Sequence, residues 1–368
     1  MKTLLASLSL ILAARAADVP VPPKNIIVYR EAKRFAGWPA NHGMWIWGNE
    51  IVVGFERGYF QFNDQRHSID WDRPAEHVLA RSLDGGASWS LEHPDSLKPP
   101  PGSKVANVLT ESGGKVPVDC PGGIDFTNPN FALTARMEDV NIGPSRFYYT
   151  YDRGKTWSGP YKIPNFGQLG IAARTDYLID GPRQMTMFLT AAKSDGKQGH
   201  VICVRTTDGA KTWTIISFIG PEPGSDDKAL MPSSVRLSAK SIVTAIRHPS
   251  WIEVYRSDDD GATWKYWSKP VPDTGAHNGN PPSLVKLRDG RLVITYGYRS
   301  APYGIRARLS ADEGRTWSAE IVLRNDGGAW DLGYTRSVQR PDGKVLTVYY
   351  FNDKEDTERY IGATIWKP

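Results

Sequence analysis

The sequence predicts an all-β fold, and within that class a propeller of six blades. Two features of composition set the class. The chain of 368 residues carries 35 Gly and 27 Pro, spread so that no long helix-forming stretch survives between them. It also holds 13 Trp and 16 Tyr, side chains that suit pleated, half-buried surfaces. The third observation, a repeated octet, sets the architecture.

Five octets share one pattern: Ser82 to Trp89, Thr150 to Trp157, Thr206 to Trp213, Ser257 to Trp264 and Ser310 to Trp317. Each runs Ser/Thr, any residue, Asp, any residue, Gly, any residue, Ser/Thr, Trp. The third has Ala210 where the others have Gly. The closing tryptophans lie 51 to 68 residues apart, close to the length of one four-stranded blade. Each octet follows a strand-like run, such as His77-Val78-Leu79-Ala80 or Ile252-Glu253-Val254-Tyr255. The Asp accepts hydrogen bonds from backbone N–H groups that follow it, and the Gly supplies a positive φ. The Trp then folds over the turn and buries its ring. Five octets plus one blade without an octet make six units, each of about 59 residues.

The first 16 residues stand apart. Lys2 gives a positive start, Leu4 to Leu12 form an apolar stretch too short to span a bilayer, and Ala14-Arg15-Ala16 has the small-x-small form of a cleavage site. Residues 1–16 are therefore expected to be a signal peptide and residues 17–368 a single propeller, periplasmic or secreted. Loss of Lys2 and Arg15 takes the formal charge from +5 to +3. With no dense Lys/Arg run, neither nucleic acid nor a membrane span is expected, and the chain reads as a monomer.

Cys120 and Cys203 are the two cysteines; they could form one disulfide, but this is not a disulfide framework. The chain has no CxxC, HExxH, EF-hand, P-loop or GxGxxG motif, so no metal and no cofactor is expected.

The octets resemble the Asp boxes of the sialidase (neuraminidase) superfamily of six-bladed propellers. That resemblance implies an active site at one mouth of the central channel, built from residues of several blades. It also implies an Arg triad for the substrate carboxylate, an Asp acid/base, and a Tyr nucleophile paired with a Glu. A neutral phenol approaches an anionic sugar without charge repulsion, provided its proton is removed.

Asp70, in Ser68-Ile69-Asp70-Trp71-Asp72, matches the acid/base, with Asp64 and Asp72 as local competitors. Arg247, ending the apolar run Ile242 to Ile246, matches the second Arg of the triad. Arg306 matches the third, and Arg308 shares its side of the strand, so either fits. Tyr334 matches the nucleophile, with Asp331 three residues before it. Three further residues, His42, His277 and Asn278, are expected to hydrogen-bond the sugar.

The departures are equally specific. Gly37-Trp38-Pro39-Ala40 stands where the resemblance calls for the first Arg, and Tyr350 where it calls for the Glu that steadies that Arg. Met231-Pro232-Ser233-Ser234 stands where the partner of the Tyr should be. The expected function is an exo-acting glycoside hydrolase that releases a terminal acidic sugar from a glycan. One alternative is a hydrolase or lyase for another glycan, with a His-centred mechanism that requires His42, His248 and His277 to converge. A second is a non-catalytic binder that stacks sugars on Trp38, Trp45 and Trp47.

Overall fold

The computed structural model describes residues 22–105 and 108–368. The expected signal peptide lies outside the described residues. Six antiparallel sheets follow one another along the chain as the blades of a propeller. The first blade pairs Arg34–Gly37, Glu50–Tyr59, Glu76–Ser82 and Ser90–Glu92, with Met44–Trp47 added beside Glu50–Tyr59. The fourth (Leu230–Arg236 to Lys265–Val271) and fifth (Ser283–Lys286 to Ile321–Arg324) are regular four-stranded sheets. The sixth takes Gly333–Gln339, Val345–Phe351 and Tyr360–Trp366 from the end of the chain. Its outer strand is Lys24–Tyr29, from the beginning. This closure explains why five octets serve six blades. Each octet joins the two outermost strands of its blade, and in the last blade no turn joins those two strands.

The octets form the turns their residues dictate. In the first, Asp84 Oδ1 accepts from the N–H groups of Ala87 and Ser88, both at 2.9 Å, and Oδ2 accepts from Ser88 Oγ. Trp89 Nε1 then donates to the Gly86 carbonyl at 3.1 Å. Asp152, Asp208, Asp259 and Asp312 repeat the arrangement with their own threonines. The third octet is imperfect. Ala210 is held at φ 70, where its counterparts are glycines with φ between 84 and 92, and Trp213 Nε1 is buried with no partner.

The second blade also departs from the regular plan. Its sheet holds three strands, Ala132–Met137, Ser145–Thr150 and Ser158–Ile163, so its inner edge faces the channel. An open edge leaves backbone donors to be satisfied. Ala135 N–H donates to Thr175 Oγ1, Leu133 N–H donates to Tyr177 Oη, and Thr134 Oγ1 donates to the His42 carbonyl. A helical turn, Pro39–His42, is thereby seated against this edge. Cys120 and Cys203 are both buried and free, in different core clusters, so the possible disulfide is not formed. Among the described residues no helix is long and apolar enough to cross a membrane.

Left-handed backbone costs a residue with a Cβ about 1–2 kcal/mol, part of which glycine gives back as unfolded-chain entropy. Ala210→Gly is therefore expected to stabilise the protein by about 0.5–1 kcal/mol. Gly154→Ala, at φ 86 and with the new Cβ 3.2 Å from the Trp157 ring, is expected to destabilise it. Denaturant titration of both variants checks the opposite signs.

Candidate active site

A cavity of about 770 Å³ opens where the second strands of the blades end. All six blades contribute to its lining, mostly through residues at or near a strand end or start, Met137 of the second blade among them. Arg247 ends Ile242–Arg247, Arg299 follows Leu292–Tyr298, and Arg174 follows Ile171–Ala172. Tyr334 opens the inner strand of the sixth blade. The loop between Glu50–Tyr59 and Glu76–Ser82 adds Arg66, His67, Trp71 and Asp72, and Trp38 and Trp330 add further aromatic wall.

The lining is strongly cationic. Arg66, Lys104, Arg174, Lys228, Arg247 and Arg299 line it, against Asp72 as the single acid. Among the described residues none of these six is ion-paired with a carboxylate. Arg174 instead donates to Asn41 Oδ1 at 3.2 Å and Gln198 Oε1 at 3.1 Å, and its Nη1 is buried without a partner. Arg247 donates to the Asn278 carbonyl, Arg299 to the carbonyls of His277, Gly279 and Leu332. Lys228 Nζ donates to Asn278 Oδ1, and burial together with the Arg247 charge pushes its ammonium down to about 8. A site whose cations lack internal carboxylates is arranged to receive an anion from outside.

Tyr334 sits among these cations. Its φ is 51, uncommon for an aromatic residue, and a bulge between Gly333 and Arg336 turns the side chain inward. Asn280 holds the conformation, accepting from Tyr334 N–H through Oδ1 at 2.8 Å. Arg247 Nη1 donates to the phenol oxygen at 3.1 Å, and the Arg247 and Arg299 guanidiniums each lie 5.5 Å from the ring centre. Burial alone would push the phenol up. The charges of Arg247, His67 and Arg299 outweigh it and bring Tyr334 down to about 7.

The other sequence-predicted residues divide. His277 and Asn278 line the cavity, His277 stacked on Trp330 with ring centres 4.5 Å apart. Asp70 lies one residue outside the lining, its Oδ1 accepting from Asp72 N–H at 3.1 Å. Asp331 is fully buried and shows no contact with the Tyr334 phenol; it accepts from Tyr350 Oη, Ser68 N–H, Arg359 Nε and His67. Arg306 and Arg308 do not reach the cavity. Arg306 is spent inside the fifth blade on Glu320 and the carbonyls of Pro302 and Arg324, and Arg308 donates to the Ser318 carbonyl. Arg299 stands in the cavity in their place. It ends an apolar strand just as Arg247 does, so the pattern that marks one marks the other.

His42, His248 and His277 do not converge. His248 stacks on Trp251 and faces Asp227 and Glu253. His42 is sealed below the cavity with Glu56 and His77, a group whose ligating atoms lie within 4.8 Å of one another. It is poorly suited to a cation, because the buried Arg136 guanidinium faces the same space and donates to His77 Nδ1 at 3.0 Å. Of the three candidate stacking tryptophans, Trp38 lines the cavity, whereas Trp45 packs on Trp157 and Trp47 joins the same cluster. Met231 occupies the position expected of the Tyr partner, with its sulfur 3.2 Å from Arg247 Nη1.

The chain belongs to the BNR repeat-like domain family, which matches residues 133–347. No curated protein sequence matches it. Among solved structures it resembles a protein of unknown function from Dyadobacter fermentans, with 21% identity and a TM-score of 0.69 over 95% of this chain and 98% of that one. The NanB sialidase of Streptococcus pneumoniae gives 12% identity and 0.60 over 93% and 70%. An α-L-arabinofuranosidase of Fusarium graminearum gives 12% and 0.59 over 95% and 98%. The shared feature is the six-bladed propeller, a fold that here includes a sialidase and an α-L-arabinofuranosidase.

Burial pushes the Glu56 carboxyl up to about 8, against the pull of Arg136, while an unfolded chain titrates it near 4.5. Between those values the unfolded chain has lost a proton that the folded protein keeps, so this group withdraws stability as pH rises. Glu56→Gln is expected to gain stability over the parent progressively from pH 5 to 8, and no further above. Denaturation of the two proteins across that range measures the difference. A pH-independent difference would remove Glu56 as its source.

Proposed function

We propose that the protein is an exo-acting glycoside hydrolase that releases a terminal acidic sugar, sialic acid or a related anionic sugar. The observation that carries this reading is the Tyr334 phenol, hydrogen-bonded to Arg247 and overlooked by Arg299, in a cavity whose cations lack carboxylate partners. In this reading Arg174, Arg247 and Arg299 hold the sugar carboxylate, a clamp of three guanidiniums assembled from positions other than the first-blade Arg that is missing. Tyr334 attacks or stabilises the anomeric carbon, and the guanidiniums do what a neighbouring Glu would otherwise do, keeping the phenol ionisable near neutral pH. Proton transfer falls to the loop over the cavity, between Tyr59 and Glu76. In this reading the protein acts outside the cytoplasm, as the signal peptide expected at residues 1–16 implies, and the glycan is the one partner required.

The test is a panel of aryl glycosides of sialic acid, uronic acids and neutral sugars. Cleavage confined to the acidic members is expected. Tyr334→Phe is expected to lower kcat by about 10³-fold or more. Arg247→Ala is expected to raise KM by roughly 10- to 100-fold for the loss of a charge-assisted contact, and to lower kcat as well, because the Tyr334 phenol loses its hydrogen-bonded guanidinium. Preference for neutral sugars would overturn the reading. So would an unsaturated product from uronides, which marks elimination rather than hydrolysis.

A further inference from the structure

His67 is absent from every motif in the sequence, yet it is the histidine built most deliberately into the cavity. Its ring stands edge-on to Trp38 and Tyr334, with centres 5.2 and 6.1 Å away, and tilted against Trp330 at 5.7 Å. Nδ1 lies 2.6 Å from Asp331 Oδ1. That carboxylate is fixed from the other side: Arg359 Nε donates to Oδ2 at 3.0 Å, Ser68 N–H to Oδ2 at 2.9 Å, and Tyr350 Oη to Oδ1 at 2.8 Å. Asp331 is thus a saturated acceptor with no proton to give, and it sets both the tautomer and the orientation of the ring. Nδ1 carries the hydrogen, and Nε2 is left for the cavity, where 21% of the His67 side chain remains exposed. Asp70, by contrast, has its Oδ1 engaged in a local turn and does not line the cavity.

We propose that His67, oriented by Asp331, is the acid/base of the reaction at this site, a role that rests on the hydrolase reading. In the first step the imidazolium Nε2–H protonates the glycosidic oxygen. The C–O bond breaks with its electron pair going to that oxygen, while the Tyr334 phenolate oxygen bonds to the anomeric carbon. In the second, neutral Nε2 takes a proton from water. The water oxygen bonds to the anomeric carbon, Tyr334 leaves as phenolate, and the imidazolium is restored. The balance is one water consumed and one glycosidic bond cleaved. The pairing suits the site, since the His67 ring stands edge-on to the Tyr334 ring, with centres 6.1 Å apart, on the wall of one cavity. His67 faces Asp331, Tyr334 and Tyr350, with Arg359 behind Asp331, Arg299 behind Tyr350, Arg247 on Tyr334, and Arg66 beside it in the loop.

The experiment compares wild type, His67→Ala, Asp331→Asn and Asp70→Asn on two substrates of the same acidic sugar, one with a dinitrophenyl and one with an alkyl leaving group. His67→Ala is expected to lose about 10²- to 10⁴-fold in kcat on the alkyl glycoside. Its formation of the Tyr-linked intermediate from the dinitrophenyl glycoside should be little changed, because that leaving group needs no proton. Added azide should restore turnover of that intermediate, and the limb of the pH profile assigned to the acid should vanish. Asp70→Asn should keep both limbs. Equal losses on both substrates, or loss of the limb in Asp70→Asn instead, would overturn the assignment while leaving the hydrolase reading intact. If wild type cleaves no member of the glycoside panel, the hydrolase reading fails, and ¹⁵N spectra of His67 decide the rest. A Nδ1-protonated ring whose Nε2 resonance shifts on addition of glucuronic or N-acetylneuraminic acid supports its place at the ligand. An Nε2 that does not respond overturns it. Asp331→Asn, where it folds, should lose the Nδ1–H signal; His67→Ala carries the test where it does not.

Discussion

The structure depends on one closure, the pairing of Lys24–Tyr29 with Tyr360–Trp366. A propeller cannot be sealed by local contacts, because the last blade must find its outer strand at the other end of the chain. The pairing runs from Lys24 opposite Ile365 to Tyr29 opposite Ile361, and the strand's Val28 joins a core cluster shared by the first and sixth blades. The cavity sits over that junction. Tyr334 and Asp331 come from the sixth blade and His67 from the first, so the 2.6 Å contact between His67 and Asp331 exists only in the closed ring. Arg359 adds a second tie across the same seam, donating to Asp331 and to Ser68 Oγ.

Charge is distributed around this seam in two unlike ways. At Asp331, burial alone would raise the carboxyl, but the His67 charge and hydrogen bond, together with Arg359, hold it well below the usual carboxylate range. The acid is fully buried and fully paired. A short distance away the cavity cations are the reverse: Arg174, Arg247 and Arg299 are mostly buried and rest on carbonyls, amides and a phenol. Neutral acceptors satisfy hydrogen-bond geometry without cancelling charge, so the field that lowers the Tyr334 phenol survives.

The octets were legible because the hydrogen bonds that shape each turn, those of its Asp carboxylate and its first hydroxyl, fall within eight residues, so the turn is specified by the segment that forms it. The six-blade count followed from their spacing. The irregular inner edge of the second blade was not legible, since it is satisfied by Thr175, Tyr177 and the Pro39–His42 turn, far away in sequence. At the site, Arg247 and Tyr334 announce themselves by position, a charge closing an apolar strand and a Tyr before a hairpin. Arg299 carries the same strand-end mark, but the resemblance points past it to Arg306, whose neighbours Glu320 and Arg324 claim it for the blade interior. His67 gives no signal at all. Its meaning comes from an aspartate 264 positions away. His42 reads as a mouth residue and is instead sealed with Glu56 and His77, because its carbonyl caps the second blade.

The uncompensated lining also bears on how a ligand arrives. Six cations against one acid in a concave, low-dielectric wall focus their field outward through the opening, whatever the modest net charge of the chain. An anionic ligand would be drawn in faster than random collision allows, and added salt, with a screening length of about 8 Å at physiological strength, would blunt that pull. The missing carboxylates thus bear on the speed of encounter as well as on the strength of binding.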